Sequence, residues 1–419
     1  MPFRRDGAAH GRSEERFLGS PGFGWRTMLT RRDFAKKGAM CGGALLAGFE
    51  QLVGATPSLG AAQEPSQNPF LAGQQLGLVD FDEPRVEMEK ALGAELDGRL
   101  YTDLSGMSTN DQATPTEKFY VRTRASEILP AAKSWRVHVD GHVDKPRSRT
   151  IDELKRAAKP LGFHLMECAG NVPQTRFGLI SVASWAGVPL AEILDNTAAK
   201  VQASRVLVTG FDQYATKSRT SVPGASWIFS LKELSAAQAF LATEMNDERL
   251  TTDHGAPIRL VVPGWYGCTC IKWVERITFV GESAEPTSQM LEYAARTHQR
   301  GLPGLARDFQ PAMIDPAAMP VRVEKWLAEG KILYRVVGIV WGGTAPIKTL
   351  MIRFNPEEEY VPVDRFTRTK NDPWTFWTHA WSPKEPGTYS IRLAIKDPGV
   401  RTRRLDSGYY VRTVEISEV

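Results

Sequence analysis

Cys168 offers the most distinctive chemistry in the chain. It follows the run Phe163-His164-Leu165-Met166-Glu167 and opens the turn-forming Ala169-Gly170-Asn171. That places one sulfur at the end of a strand, facing whatever lies in the loop above. As a thiolate it is a soft ligand suited to a soft, high-valent metal. As a thiol after an apolar run it also suits a packed core. Two other segments carry chemistry-bearing groups. Asp253-His254-Gly255-Ala256-Pro257-Ile258-Arg259 brings an acid, an imidazole and a guanidinium close together. Cys268-Thr269-Cys270-Ile271-Lys272 brings two thiols and an ammonium. A zinc centre on Cys268, Cys270 and a histidine would lack both the usual Cys-x-x-Cys pair and a nearby third ligand.

These residues sit in a chain of 419 residues, long enough for two domains. It has four cysteines, Cys41, Cys168, Cys268 and Cys270, too few and too unevenly spaced for a disulfide scaffold. No Cys-x-x-Cys-His occurs, so no covalent haem is expected. The net charge of +4 lies in residues 1–62, and the remainder is balanced, which argues against nucleic-acid binding. The basic segment reads as an export leader. Thr30-Arg31-Arg32-Asp33-Phe34-Ala35-Lys36 matches the twin-arginine pattern. A Gly/Ala-rich apolar stretch follows from Gly38 to about Val53, then Leu59-Gly60-Ala61-Ala62 as a small-residue cleavage site. The apolar stretch is too short for a membrane span. The expectation is a soluble mature protein in a bacterial periplasm, with no span of its own.

The elements that would position the three segments are mixed. Residues 63–117 read as an irregular arm with one helix near Arg85–Leu92. Strand patterning covers Lys118–Arg122, Ser134–Gly141, the run ending at Cys168, Arg205–Gly210 and Ile258–Pro263. Helices are expected from Thr150 or Asp152 as cap, at Leu190–Asp195, near Leu231–Ala242 and at Leu291–Thr297. There is no regular βαβ rhythm, so the fold class is α+β. After a Pro/Gly-rich bridge around 302–316, short strands recur at Val321–Glu324, Ile332–Gly338, Lys348–Phe354, Tyr389–Lys396 and Tyr409–Ile416. This is the spacing of an antiparallel sandwich, with Trp341, Trp374, Trp377 and Trp381 as core aromatics.

Cys168-Ala169-Gly170-Asn171, Asp253-His254-Gly255-x-Pro257-x-Arg259, Val261-Val262-Pro263-Gly264 and Lys272-Trp273, in this order, resemble the sulfite oxidase family of molybdopterin enzymes. The resemblance runs from about Lys118 to the C-terminus. It implies a molybdopterin-binding catalytic domain over 118–286 and an immunoglobulin-like dimerisation domain over 287–419, following leader 1–62 and arm 63–117. It further implies one Mo-molybdopterin per chain, with Cys168 as the protein ligand on molybdenum. His254, Arg259 and Lys272 would meet the pterin phosphate, with backbone N–H groups around Cys270 and Ile271, and Asp212 would bind the pterin ring. Arg122, Arg176 and Trp185 would line the substrate site. The implied reaction is two-electron oxidation of sulfite or a related sulfur oxyanion by oxygen-atom transfer. A separate c-type cytochrome would accept the electrons, and the chain would form a homodimer. The alternative within the family is a sulfoxide reductase of the methionine sulfoxide type. Three positions depart from the family pattern: Thr123-Arg124 after the first arginine, Val172-Pro173 where an arginine pair is usual, and Thr243 where a pocket tyrosine is usual.

Overall fold

A computed structural model describes residues 69–84, 99–123, 129–212, 225–364, 366 and 372–419, all within one compact unit, Gln67–Val419. Its framework is four sheets with short helices, a mixed α+β fold.

Two five-stranded sheets build the first part. In one, Arg259–Val261, Phe240–Met245, Ile180–Pro189 and Lys159–Glu167 lie side by side, with Glu248–Arg249 paired to Phe240–Met245. In the other the order is Arg147–Thr150, Arg136–Gly141, Val274–Val280, Arg205–Gly210, Ser226–Ser230. Val274–Val280 runs parallel to Arg136–Gly141, and its other pairing is antiparallel. The helix Ile151–Ala157 begins where sequence chemistry demands. Glu153 N–H donates to Thr150 Oγ1 at 3.1 Å and Thr150 N–H donates to Glu153 Oε2 at 2.7 Å, a reciprocal cap. Gly187 cannot be replaced by a larger residue without movement, because a Cβ there would lie 2.1 Å from the Leu241 carbonyl of the neighbouring strand.

Two four-stranded antiparallel sheets build the second part: Gln74–Val79, Ala317–Ala328, Lys331–Trp341, Trp374–Trp381, and Val361–Pro362, Leu350–Arg353, Gly387–Ile395, Arg412–Ile416. They share a core in which Phe354 stacks on Trp381 at 4.2 Å between ring centres, and Trp381 meets Tyr389 edge-on at 4.9 Å. Trp377 and Trp381 face that core, whereas Trp341 and Trp374, on the opposite face of the same sheet, are buried against other segments, their Nε1 atoms donating to Glu167 Oε2 at 2.9 Å and Gln112 O at 3.1 Å.

Four sequence expectations differ from the structure. Lys118–Arg122 is no strand; it follows a single turn at Thr116–Lys118 and makes only an isolated bridge between Val121 and Leu100. The helix near Leu231–Ala242 stops at Ala236, and Phe240–Met245 is a strand buried on both faces, where apolar periodicity cannot separate strand from helix. The helical signal at Leu291–Thr297 divides into Ser288–Glu292 and a turn at Ala295–Thr297. The arm contains a strand, Gln74–Val79, which pairs with Ala317–Ala328 although more than two hundred residues separate them. The leader and the helix near Arg85–Leu92 lie outside the described residues. Among the described residues no helix is long and apolar enough to cross a membrane.

Candidate active site

The residues singled out from the sequence meet where strands of the first two sheets end. Cys168 follows Lys159–Glu167, Asp212 follows Arg205–Gly210, Arg259 opens Arg259–Val261, and Ile271 and Lys272 precede Val274–Val280. Backbone bonds join these ends: Leu260 N–H donates to Ile271 O at 2.7 Å, Val274 N–H to Ile258 O at 3.2 Å and Phe211 N–H to Trp273 O at 2.9 Å. The result is a cavity lined by Arg122, Cys168, Asp212, His254, Arg259, Cys270, Ile271 and Lys272, with Tyr120, Cys268 and Tyr293.

Each group is set by its surroundings. Cys168 is buried, and the Gly170 N–H donates to its sulfur at 3.3 Å. Burial pushes the Cys168 thiol up, opposed by the Gly170 amide, Arg122 and Arg296. Arg259 donates to His254 O at 2.9 Å and Cys270 O at 3.3 Å, which leaves its buried Nε without a partner. Asp212 Oδ1 is likewise buried and unpartnered. Burial raises the Asp212 carboxyl, against the pull of Lys272, and lowers the Lys272 ammonium, further depressed by Arg259. Lys272 Nζ donates to Thr123 O and, at 2.9 Å, to Asp253 O. His254 is neutral: burial brings it down to about 4. Its Nε2 lies 3.0 Å from Phe119 O, which can only accept, so Nε2 carries the proton and Nδ1 accepts from Thr251 Oγ1 at 2.7 Å. Both ring nitrogens are therefore committed, and His254 lines the cavity as a brace. The Cys270 and Ile271 amides are also committed, donating to Gly267 O at 3.1 Å and Thr269 O at 3.1 Å. The tight turn at Gly267–Thr269 consumes the N–H groups expected to face a phosphate.

Two predicted substrate residues stand elsewhere. Arg176 ends the turn Pro173–Thr175 and faces Glu83 at 3.9 Å, in a separate cavity beside Arg322 and Arg412. The turn that replaces the usual arginine pair points this side chain away from Cys168. Trp185 is buried behind the cavity wall, its ring centre 5.5 Å from the Arg259 guanidinium carbon and 6.0 Å from the Phe119 ring. It supports Arg259 and does not line the cavity. Thr243 is buried within its strand, also off the cavity.

Sequence reading missed a vestibule next to this cavity. It is lined by Arg99, Arg122, Ala169, Gly170, Arg296, Arg403 and Arg404. Arg99 Nη1 donates to Arg122 O at 2.7 Å. A Cβ on Gly170 would lie 3.3 Å from Arg296 Nη1 and 3.7 Å from Cys168 Sγ, so Gly170 leaves the guanidinium and the sulfur on either side of one small gap. Arg296 and Arg404 come from segments far from Cys168 in sequence, so no local motif could have revealed them. Among the described residues no group of three or more His, Cys, Asp or Glu side chains is placed to hold a metal, so Cys268, Cys270 and a histidine form no zinc centre.

Residues 125–288 match the family described as oxidoreductase molybdopterin binding domain. The chain is 29% identical over 202 residues to mitochondrial sulfite oxidase of Drosophila melanogaster, a match covering 45% of this chain and 34% of that protein. It is 27% identical over 286 residues to an NADH nitrate reductase of Brassica napus, covering 64% of this chain and 28% of that protein. The chain thus spans about a third of the length of these curated relatives. Its fold is similar to that of the sulfane dehydrogenase SoxCD from Paracoccus pantotrophus, with a TM-score of 0.61 and 17% identity over 81% of this chain and 91% of that one. A molybdopterin-binding oxidoreductase domain related to those of sulfite oxidase and nitrate reductase therefore occupies residues 125–288 of this chain.

Proposed function

We propose that the chain is a molybdopterin-dependent oxidoreductase that oxidises sulfite or a related sulfur oxyanion by oxygen-atom transfer. The observation that carries this reading is one cavity that gathers the buried sulfur of Cys168, at the end of its strand, with two orphaned polar atoms, Asp212 Oδ1 and Arg259 Nε. Buried polar groups without partners are rare, and each one asks for a ligand. The donor set fits the cofactor: a soft sulfur for molybdenum, an acid for pterin N–H groups, and two cations for a phosphate. When bound, the cofactor supplies the two-electron redox change and the oxygen transfer.

The chain's own residues do the rest. Cys168 ligates the metal, with the Gly170 N–H fixed on its sulfur. Asp212 accepts from the pterin ring. Arg259 and Lys272 hold the phosphate, and His254 and Trp185 keep Arg259 in place. Arg122 and Arg296 bind the anionic substrate beside the sulfur, where their permanent charge concentrates oxyanions. The Tyr293 hydroxyl, which lines the same cavity, takes the hydrogen-bonding role left open at Thr243.

Electrons leave singly to a separate c-type cytochrome, since the sequence has no haem-attachment motif. Residues 1–62 serve twin-arginine export to the periplasm, and 63–117 form an arm that lends the strand Gln74–Val79 to the C-terminal sheets. Residues 118–286 form the catalytic domain, and 287–419 an immunoglobulin-like domain that joins two chains into a homodimer. Purified protein should oxidise sulfite with an artificial dye and show no haem Soret band. Failure to oxidise any sulfur oxyanion, with methionine sulfoxide reduced instead, would overturn the assignment of reaction direction.

A further inference from the structure

The turn that carries Cys168 is gripped from the far end of the chain. Arg404 lies in the short helix Arg403–Asp406, packed against the C-terminal sheets. Its Nη2 donates to Ala169 O at 3.0 Å and to Arg296 O at 3.0 Å. Its Nη1 lies 3.9 Å from Glu167 Oε1, and the guanidinium sits over the rings of Tyr266 and Tyr409 at 4.8 and 5.2 Å. Glu167, next to Cys168 and fully buried, is held from the same side by Trp341 Nε1 at 2.9 Å and Tyr410 OH at 3.1 Å. Tyr409 OH donates to Asn171 O at 2.7 Å.

One detail gives this grip a chemical consequence. Ala169 C=O and Gly170 N–H belong to the same planar peptide group, which cannot twist internally. Arg404 holds its oxygen, and its N–H points at Cys168 Sγ. We propose that Arg404 is a positioning residue for the metal ligand: by fixing and polarising the Ala169–Gly170 peptide it maintains the N–H···S bond that tunes the Cys168 sulfur. This rests on the cofactor reading given above. Hydrogen bonds to a ligating sulfur draw electron density from it and raise the metal's reduction potential, and bonds in series polarise one another. The C-terminal sheets therefore act on the metal site itself, through one amide.

The test uses holoenzyme of the parent, Arg404→Lys, Arg404→Met and Tyr409→Phe. Lysine keeps a charge beside Glu167, which protects folding, but its Nζ ends one bond short of Nη2, the nitrogen that donates to both Ala169 O and Arg296 O. Both Arg404 variants should shift the metal's reduction potential negative and change its EPR g values. Arg404→Lys should also lose about 10- to 100-fold in kcat, with KM within about twofold of the parent. Tyr409→Phe leaves the Ala169–Gly170 peptide untouched and should keep the parent potential. If Arg404→Met does not fold, Arg404→Lys decides alone. A parent potential and parent g values in Arg404→Lys would overturn the proposal, whatever the loss in Tm; if Arg404→Met shifts while Arg404→Lys does not, charge alone is responsible and the amide route is wrong. Absence of molybdenum from the parent protein would instead bring down the cofactor reading, and the proposal with it.

Discussion

At the scale of single residues, the site holds two buried polar atoms without partners, Asp212 Oδ1 and Arg259 Nε. Arg122 and Arg296 both oppose the upward push of burial on the Cys168 thiol. Removing either should weaken substrate binding more than turnover. Charged hydrogen bonds of about 1.5–3 kcal/mol correspond to a KM increase of roughly 10- to 100-fold. Steady-state kinetics on Arg122→Met and Arg296→Met checks this, and an unchanged KM in both would remove them from the substrate site. Arg176→Met should leave KM at the parent value, because that side chain faces Glu83. The sequence exposed Cys168, Asp212, Arg259 and Lys272 because each sits in or beside a recognisable run. It misdirected Arg176, since nearness to Cys168 along the chain says nothing of direction after a turn. Arg296 was invisible because its guanidinium arrives from a turn more than a hundred residues downstream.

At the scale of elements, strand ends position the cavity and short helices lock the loops around it. Asp315 joins two such loops. Arg403 of the C-terminal helix donates to it through Nε and Nη2, both at 2.8 Å, and His298 Nε2 lies 3.1 Å away. Burial alone would raise the Asp315 carboxyl, but His298 and Arg403 outweigh it and hold the group at about 2. A carboxyl depressed in the folded state stabilises fully above its unfolded value near 4, and that contribution disappears as pH falls through the folded value. Asp315→Asn should therefore unfold more easily than the parent at pH 6, with the difference shrinking between about pH 4 and 2. Denaturant titrations across that range test it, and a gap that persists unchanged at pH 2 would contradict the ion-pair account. Elements with a local signature were legible: the helix start at Thr150, the alternating strand Arg136–Gly141 and the C-terminal strands Lys331–Trp341 and Gly387–Ile395, whereas Trp374–Trp381 was read only as core aromatics. Phe240–Met245 was not, because a strand buried on both faces loses its alternation. Gln74–Val79 was not, because its partner strand lies far along the chain.

At the scale of the molecule, the catalytic region and the C-terminal sheets depend on each other. Trp341, Arg404 and Tyr410 satisfy the buried carboxylate of Glu167. Leaving such a charge unpaired costs about 3–5 kcal/mol, a large share of a typical domain's stability. A chain ending at Pro316 should consequently fail to accumulate as folded, cofactor-bound protein; a soluble truncated form with full molybdenum content would show that the two parts are separable. The order of motifs revealed this architecture in outline, whereas the contact between its halves required the folded chain. The most direct examination of the whole account is X-ray absorption at the molybdenum edge, on the parent and on Cys168→Ser. The parent should hold about one molybdenum per chain with the cysteine sulfur in its coordination shell, and the variant should show one sulfur scatterer fewer. A parent without molybdenum, or a variant with the same sulfur count, would contradict it.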